Sequence, residues 1–366
     1  MENQLVIKSN IFLTNFVSIL MTLQLGLGFL SLTSLITVSA GAFLQLVVFL
    51  LLYVFSILLD KKIPYWDVMF AEATVVTVAI NNSPEMVSLF VFSMIMSVFW
   101  KLSPVLNIPL LLKRYFVSGI FIFFIVVFAS VVFGFNNNVT SMWRIDGFVH
   151  RQSLGFSNPN ATLISLVAPI FSGIGYFVYK QSRIGLLGLL IIVLFVFEKT
   201  QSRTSSLVIV SIIVAMFITL KNGLKPVNRF LKGITLVMPF LFLAFSMWLM
   251  FKNPDFFNTH LSGRPNLYHN FYQQYGIHLL GQSELGNAMF DNSYLQALLS
   301  KGLLFLVLFL FINIRNIYIV RRVPLVAWML FVGFFALGVT ETVLQHFEIY
   351  VSIIMVVFLM NGAKSE

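Results

Sequence analysis

The chain has no cysteine and few charges. Without a thiol there is neither a disulfide nor a thiolate metal site. Charged residues make up 10% of the 366 positions and hydrophobic ones 59%. An ordinary soluble domain carries about 25% charged residues. A water-soluble fold is therefore excluded, because it would lack the polar surface to cover so much apolar material. No histidine pair has the spacing of a helical zinc motif. No repeat relates the two halves, as many transporters would show.

What is present is a succession of apolar runs, many near the length of about 20 residues that crosses a hydrocarbon core. They fall at 11–31, 39–59, 66–80, 86–100, 115–135, 161–179, 184–198, 204–220, 233–251, 295–314, 324–340 and 343–360. This pattern predicts an all-α, polytopic membrane helical bundle of about 12 transmembrane helices (roughly 10–12), with a large extracytoplasmic loop before the last three. Residues 1–366 form a single integral membrane domain in this reading. The 41 phenylalanines are spread through the runs as packing and lipid-facing bulk. The first run, Ile11 to Leu30, lacks a small-residue cleavage site and reads as a retained helix. Short runs such as the third and seventh would tilt, thin the bilayer or enter only part way.

Charge sets the orientation. The net charge of +10 would point to nucleic acid in a soluble protein. Here it follows from the collection of Lys and Arg in cytoplasmic loops, so no nucleic-acid partner is expected. With the N-terminus inside and sides alternating, Arg144, Arg151, Lys199, Arg203, Lys252, Arg264 and Lys301 fall outside, and the large majority of the 23 basic residues fall inside. Both termini are then cytoplasmic. The outer basic residues are the unusual ones, and four are Arg, whose planar fork of donors grips phosphate.

Two long polar segments lie on the outer side, a first outer loop at 136–160 and a large one at 252–294. The second is rich in Asn, Tyr, His and Gly, a composition suited to sugars: aromatic faces stack on pyranose rings and amides bond hydroxyls. Arg203 sits in Glu198-Lys199-Thr200-Gln201-Ser202-Arg203-Thr204, a polar turn between two apolar helices. It could anchor on lipid phosphate by snorkelling, or join Arg144, Arg151 and Arg264 around a pyrophosphate. Before the next run, Asn158-Pro159 forces an extended or turn geometry, and Asn160 is a candidate helix cap. Outer carboxylates able to serve a hydroxyl acceptor are Asp146, Glu198, Asp255, Glu284 and Asp291, while Glu341 and Glu348 flank the outer end of the last span. The histidines are His150, His260, His269, His278 and His346. Glu72 falls within the third span, where an ionisable group is a functional candidate by default.

The set Gly155-Phe156-Ser157-Asn158-Pro159-Asn160, Ser202-Arg203-Thr204, Leu261-Ser262-Gly263-Arg264 and Asp291-Asn292-Ser293-Tyr294-Leu295 with Gly302 resembles, in order and in topology, the Wzy-type polysaccharide polymerases. These form a broader superfamily with the O-antigen ligases. The motifs cover about 150–302, and hydropathy alone covers the rest. The resemblance implies a metal-independent, cofactor-free membrane glycosyltransferase of the bacterial cytoplasmic membrane. Its substrates would be oligosaccharide repeat units on undecaprenyl pyrophosphate, polymerised into capsular, exo- or O-antigen polysaccharide on the outer face. Companion flippase and chain-length regulator proteins are implied with it. Arg203 and Arg264 match the family's pyrophosphate-binding Arg positions, with Arg151, Arg144, Asn158, Asn160, Asn292 and Tyr294 as further substrate-binding candidates. Asp291, Glu198 and His269 are the catalytic candidates. The family often has His where Asp291 stands, so a His-based role there is in doubt. Asp could orient or deprotonate an acceptor hydroxyl instead. Three alternatives stay open: a ligase that moves finished glycan, a transporter or flippase of the lipid-linked unit, and a scaffold.

Overall fold

The computed structural model describes residues 2–81, 87–144, 147–285, 288, 290–344 and 346–359. Their architecture is an all-α helical bundle with one small β-hairpin. The order is α1 Glu2–Leu32, α2 Val38–Leu59, α3 Tyr65–Asn81, α4 Val87–Leu102 and α5 Ile108–Phe133; then β1 Val139–Arg144 and β2 Gly147–Gln152. There follow α6 Pro159–Tyr179, α7 Arg183–Thr200, α8 Arg203–Ile218, α9 Arg229–Lys252, α10 Asp255–His260, α11 Arg264–Tyr275, α12 Ser293–Leu295, α13 Leu303–Ile319, α14 Leu325–Leu337 and α15 Phe347–Val357. Five helices are long and apolar enough to cross a membrane: α1 over Ile11–Leu32, then α2, α5, α6 and α9. They mark the chain as membrane-embedded.

Each apolar run of the sequence overlaps a helix, and the reason is composition; only the run expected at 295–314 is divided, by a π-helical turn at Gln296–Ser300 and a break at Gly302 (φ +90°) before α13. Leu, Ile, Val and Phe fill the runs, and the termini carry capping groups. Thr37, Asn107, Asn158, Ser182 and Asn228 each accept a backbone N–H of the first turn through the side chain. Burial then sorts the helices. α6 is 89% buried along its span, and every residue of α15 is buried. Helices apolar on all sides belong in the centre of a bundle. By contrast α5, only 17% buried, turns Phe121, Phe128 and Val131 outward. The central pair packs closely because one partner is small: a Cβ on Gly175 of α6 would lie 2.3 Å from Val356 of α15. Gly119 of α5 likewise makes room for Pro169 of α6.

The segments expected as outer loops hold local structure. Residues 139–144 pair antiparallel with 147–152, with Thr140 opposite Arg151. The larger segment folds into α10, α11 and a 3-10 turn at Ser283–Leu285. Tyr268, Leu285 and Phe290 pack there with Met250 of α9 and with Leu295 and Leu299. This small apolar core fixes α11 against the helix ends.

Candidate functional site

Four separate stretches of chain meet at one cavity of about 640 Å³, lined among others by Arg151, Asn160, Ser202, Arg203, His260, Arg264 and Glu341. That is within the usual size of a small-ligand site.

The hairpin supplies Arg151. Its Nε donates to the Thr200 carbonyl at 2.8 Å, and its Nη2 donates to Asn160 Oδ1. The first bond places a cation at the carbonyl end of α7, where the helix dipole favours it. Asn160 is free for this because it is not the helix cap expected from the sequence. Asn158 caps α6 instead, taking the Ala161 N–H at 2.8 Å, and Pro159 fills the first helical position, where no N–H is needed. Two residues on from the cap, Asn160 reaches both Arg151 and the Ser202 hydroxyl, which donates to it at 3.3 Å.

The α7–α8 turn supplies Arg203. Gln201 ends α7 in the left-handed conformation, and Arg203 opens α8. Since Ser202 bonds Asn160, it makes no side-chain cap for α8. The first turn of α8 thus meets the cavity through Ser202, Arg203 and Thr204 with no capping side chain. A helix start of that kind favours anions.

Arg264 opens α11 after two left-handed residues, Ser262 and Gly263. Its Nη1 donates to the Thr340 carbonyl at 2.9 Å, and its Nη2 pairs with Asp291 at 3.1 Å. Tyr268, one turn along, donates its hydroxyl to the Asp291 carbonyl at 3.2 Å. Burial opposes the charge of Arg264, yet Asp291 and Glu341 together hold its pKa above the ordinary value. Arg151 moves the other way: burial lowers it, Glu341 resists, and the neighbouring Arg264 adds to the lowering.

Glu341 stands in the turn between α14 and α15. It is 2% exposed, and its Oε1 accepts the Ser205 hydroxyl at 3.0 Å. Burial raises its pKa to about 7, against the attraction of Arg264; Asp291 adds to the rise, and Ser205 and Arg151 resist it. Its backbone is pinned as well, its N–H to the Leu337 carbonyl and its carbonyl to the Ser293 hydroxyl at 2.7 Å.

The other candidates are placed apart from these. Asn292 is fully buried; it caps α12 and donates to Ser246 and to the Val339 carbonyl. Tyr294, also fully buried, donates to the Phe335 carbonyl. Both hold α12 in place. Asn158 is spent on its cap. Glu198, with its side chain 68% exposed, pairs with Lys199, and His269 shares a hydrogen bond with the Met250 carbonyl at 3.0 Å. Neither lines the cavity. Arg144 lies in β1, but its side chain, like Asp146, is outside the described residues. Asp291 is reached through Arg264. Sequence reasoning left Ser205 and Thr340 unmarked and placed Glu341 only at the end of a span. The available signal was the same as for Arg203: a charged residue in a short turn between apolar helices.

Among the described residues no group of three His, Asp or Glu is arranged to hold a metal ion. The chain matches no protein-family model, no curated protein and no solved structure.

Proposed function

We propose that this protein is a membrane glycosyltransferase that polymerises undecaprenyl-pyrophosphate-linked oligosaccharide repeat units on the outer face of a bacterial cytoplasmic membrane. The observation that carries the reading is the shared cavity of Arg151, Arg203 and Arg264, three guanidinium groups from stretches far apart in sequence. In this reading α1–α9 and α13–α15 are twelve crossings, both termini are cytoplasmic and the cavity opens outward. The segregation of the remaining Lys and Arg to the opposite ends of these helices supports that orientation.

The chemistry follows from the charges. Transfer of a glycan from its lipid carrier breaks the anomeric C–O bond and leaves the electron pair on the pyrophosphate. Guanidinium groups fixed before the reaction stabilise that growing charge with little reorganisation. Each charge-assisted hydrogen bond contributes about 1.5–3 kcal/mol. Arg151 and Arg264 are held by backbone carbonyls, so their forks are oriented in advance. His260, Asn258 and Thr259 line the same cavity and can bond sugar hydroxyls.

The test is the purified protein in lipid nanodiscs with lipid-linked repeat units and no ion gradient. A ladder of polymer is expected, and its loss in Arg203→Ala and Arg264→Ala. Repeat units carried across the bilayer without chain growth would establish a flippase instead. Transfer of finished polymer to a different acceptor would establish a ligase.

A further inference from the structure

We infer that Glu341 is the base that takes the proton from the acceptor sugar's hydroxyl. The inference rests on the polymerase reading and assigns a role in it that the sequence motifs give to Asp291. Three features of the site carry it.

First, the two carboxylates are occupied differently. Asp291 pairs with Arg264 Nη2 at 3.1 Å and does not line the cavity. Glu341 lines the cavity, and among the described residues its side-chain partner is a neutral hydroxyl, Ser205 Oγ. A carboxylate oxygen engaged by a guanidinium is occupied as an acceptor, whereas the carboxylate held by one hydroxyl keeps a lone pair to offer. Second, the position is fixed from both sides. Backbone bonds to Leu337 and Ser293 hold residue 341, and Arg264 holds the carbonyl of residue 340. Third, Ser205 and Arg203 share the first turn of α8. One helical turn therefore carries both a guanidinium for the leaving pyrophosphate and the hydroxyl that orients the base, which couples the donor and acceptor halves of the reaction.

The step balances. The acceptor oxygen forms a bond to the donor's anomeric carbon. The bond from that carbon to the pyrophosphate oxygen breaks, with its electron pair leaving on the diphosphate. The hydroxyl proton passes to Glu341, which returns it to water before the next cycle. The charged and titratable groups around Glu341 are Arg264 and Tyr268 on α11, Arg151 on β2, Arg203 on α8, His260 on α10, and Asp291. The cations favour the carboxylate form, while burial and Asp291 oppose it, and the balance leaves the carboxyl titrating at about 7. The base form therefore fills as pH rises through neutrality.

The experiment measures polymer formation by the reconstituted full chain between pH 5.5 and 8.5, alongside binding of undecaprenyl pyrophosphate. Wild-type activity should rise with pH through about 7. Glu341→Gln should lose at least about 100-fold in rate, with diphosphate binding within about threefold of wild type; that retained binding also reports an intact fold. Glu341→Asp should keep measurable activity with a displaced pH limb. Asp291→Asn should keep the acid limb of the wild type. Should Glu341→Gln polymerise at more than a tenth of the wild-type rate, or should the acid limb vanish in Asp291→Asn and persist in Glu341→Gln, the assignment falls alone. No polymer from the wild type would bring down the polymerase reading and the base with it.

Discussion

Two regions of this protein bury charge, and they do so in opposite ways. At one end of the bundle, Arg151, Arg203, Arg264 and Glu341 surround an open cavity. In the first turn of α3, Asp67 is fully buried and accepts hydrogen bonds from Ser97 at 2.7 Å and Tyr53 at 3.2 Å. Arg315 of α13 opposes its charge and lays its guanidinium over the rings of Trp66 and Phe70 at 5.6 and 5.7 Å. An ionisable group at membrane depth is by default a functional candidate. The comparison shows how to separate cases. Asp67 is closed in by side chains of its own bundle and does not line the cavity of Arg151, Arg203 and Arg264, so it staples α2, α3 and α4 together. Arg151, Arg264 and Glu341 also have partners, yet each of them lines the cavity. What distinguishes a site from a staple is where the remaining valence points.

The distinction fails if variants of the cavity residues lose stability or variants around Asp67 lose activity. The largest effect belongs to Arg264→Ala, which removes a guanidinium, exposes Asp291 and frees the Thr340 carbonyl. Polymer formation should fall by at least about 100-fold. Next comes Asp67→Asn, which replaces the buried carboxylate that accepts from both Ser97 and Tyr53 by an amide with one acceptor oxygen. Leaving a buried hydroxyl unsatisfied costs about 1–3 kcal/mol. The melting temperature should drop by several degrees, while turnover per folded molecule in nanodiscs stays within about twofold. A reversal of these two phenotypes would invert the roles assigned to the regions. Asn292→Ala sharpens the same distinction beside the cavity. It deletes a helix cap and two hydrogen bonds from a fully buried amide, for a loss of about 2 kcal/mol. Thermal unfolding should register the loss, with diphosphate affinity unchanged.

Glu341 gives a pH signature. Its carboxyl titrates at about 7 in the fold and near 4.5 when free. Between those values the folded chain holds a proton that the unfolded chain has released. Stability should therefore fall as pH rises from about 4.5 to 7, by at most on the order of 3 kcal/mol. Glu341→Gln should flatten that slope in thermal unfolding measured across the same range.

The bundle was legible in the sequence because the bilayer imposes it. Apolar runs such as 161–179 and 204–220 have no other stable form, and α6 and α8 occupy them. Arg203 and Arg264 were legible as exceptions, being charges in turns that needed none. Their convergence was not, since nothing local to Arg151 states that its guanidinium will reach Thr200 and Asn160. The sequence also set Asn292 and Tyr294 beside Asp291 in one motif. The fold divides that motif by function: Asn292 and Tyr294 turn inward to fix α12, and Asp291 turns to Arg264. Adjacency along the chain carries no information about which side chain faces a cavity where the backbone leaves the helix, and Asp291 itself has φ +47°.

The smallest expected effect is the sharpest check on this division. Glu198 is a carboxylate five residues before Arg203, in the same polar turn that drew notice in the sequence. Its side chain is 68% exposed and bonded to Lys199 at 3.2 Å. An exposed pair of this kind contributes about 0–1 kcal/mol. Glu198→Ala should therefore change neither the melting temperature beyond about one degree nor the polymerisation rate beyond about twofold. Lys199→Ala should match it. A large loss of rate in Glu198→Ala, with Glu341→Gln still active, would mean that proximity to Arg203 in sequence, rather than placement on the cavity wall, identifies the reacting carboxylate.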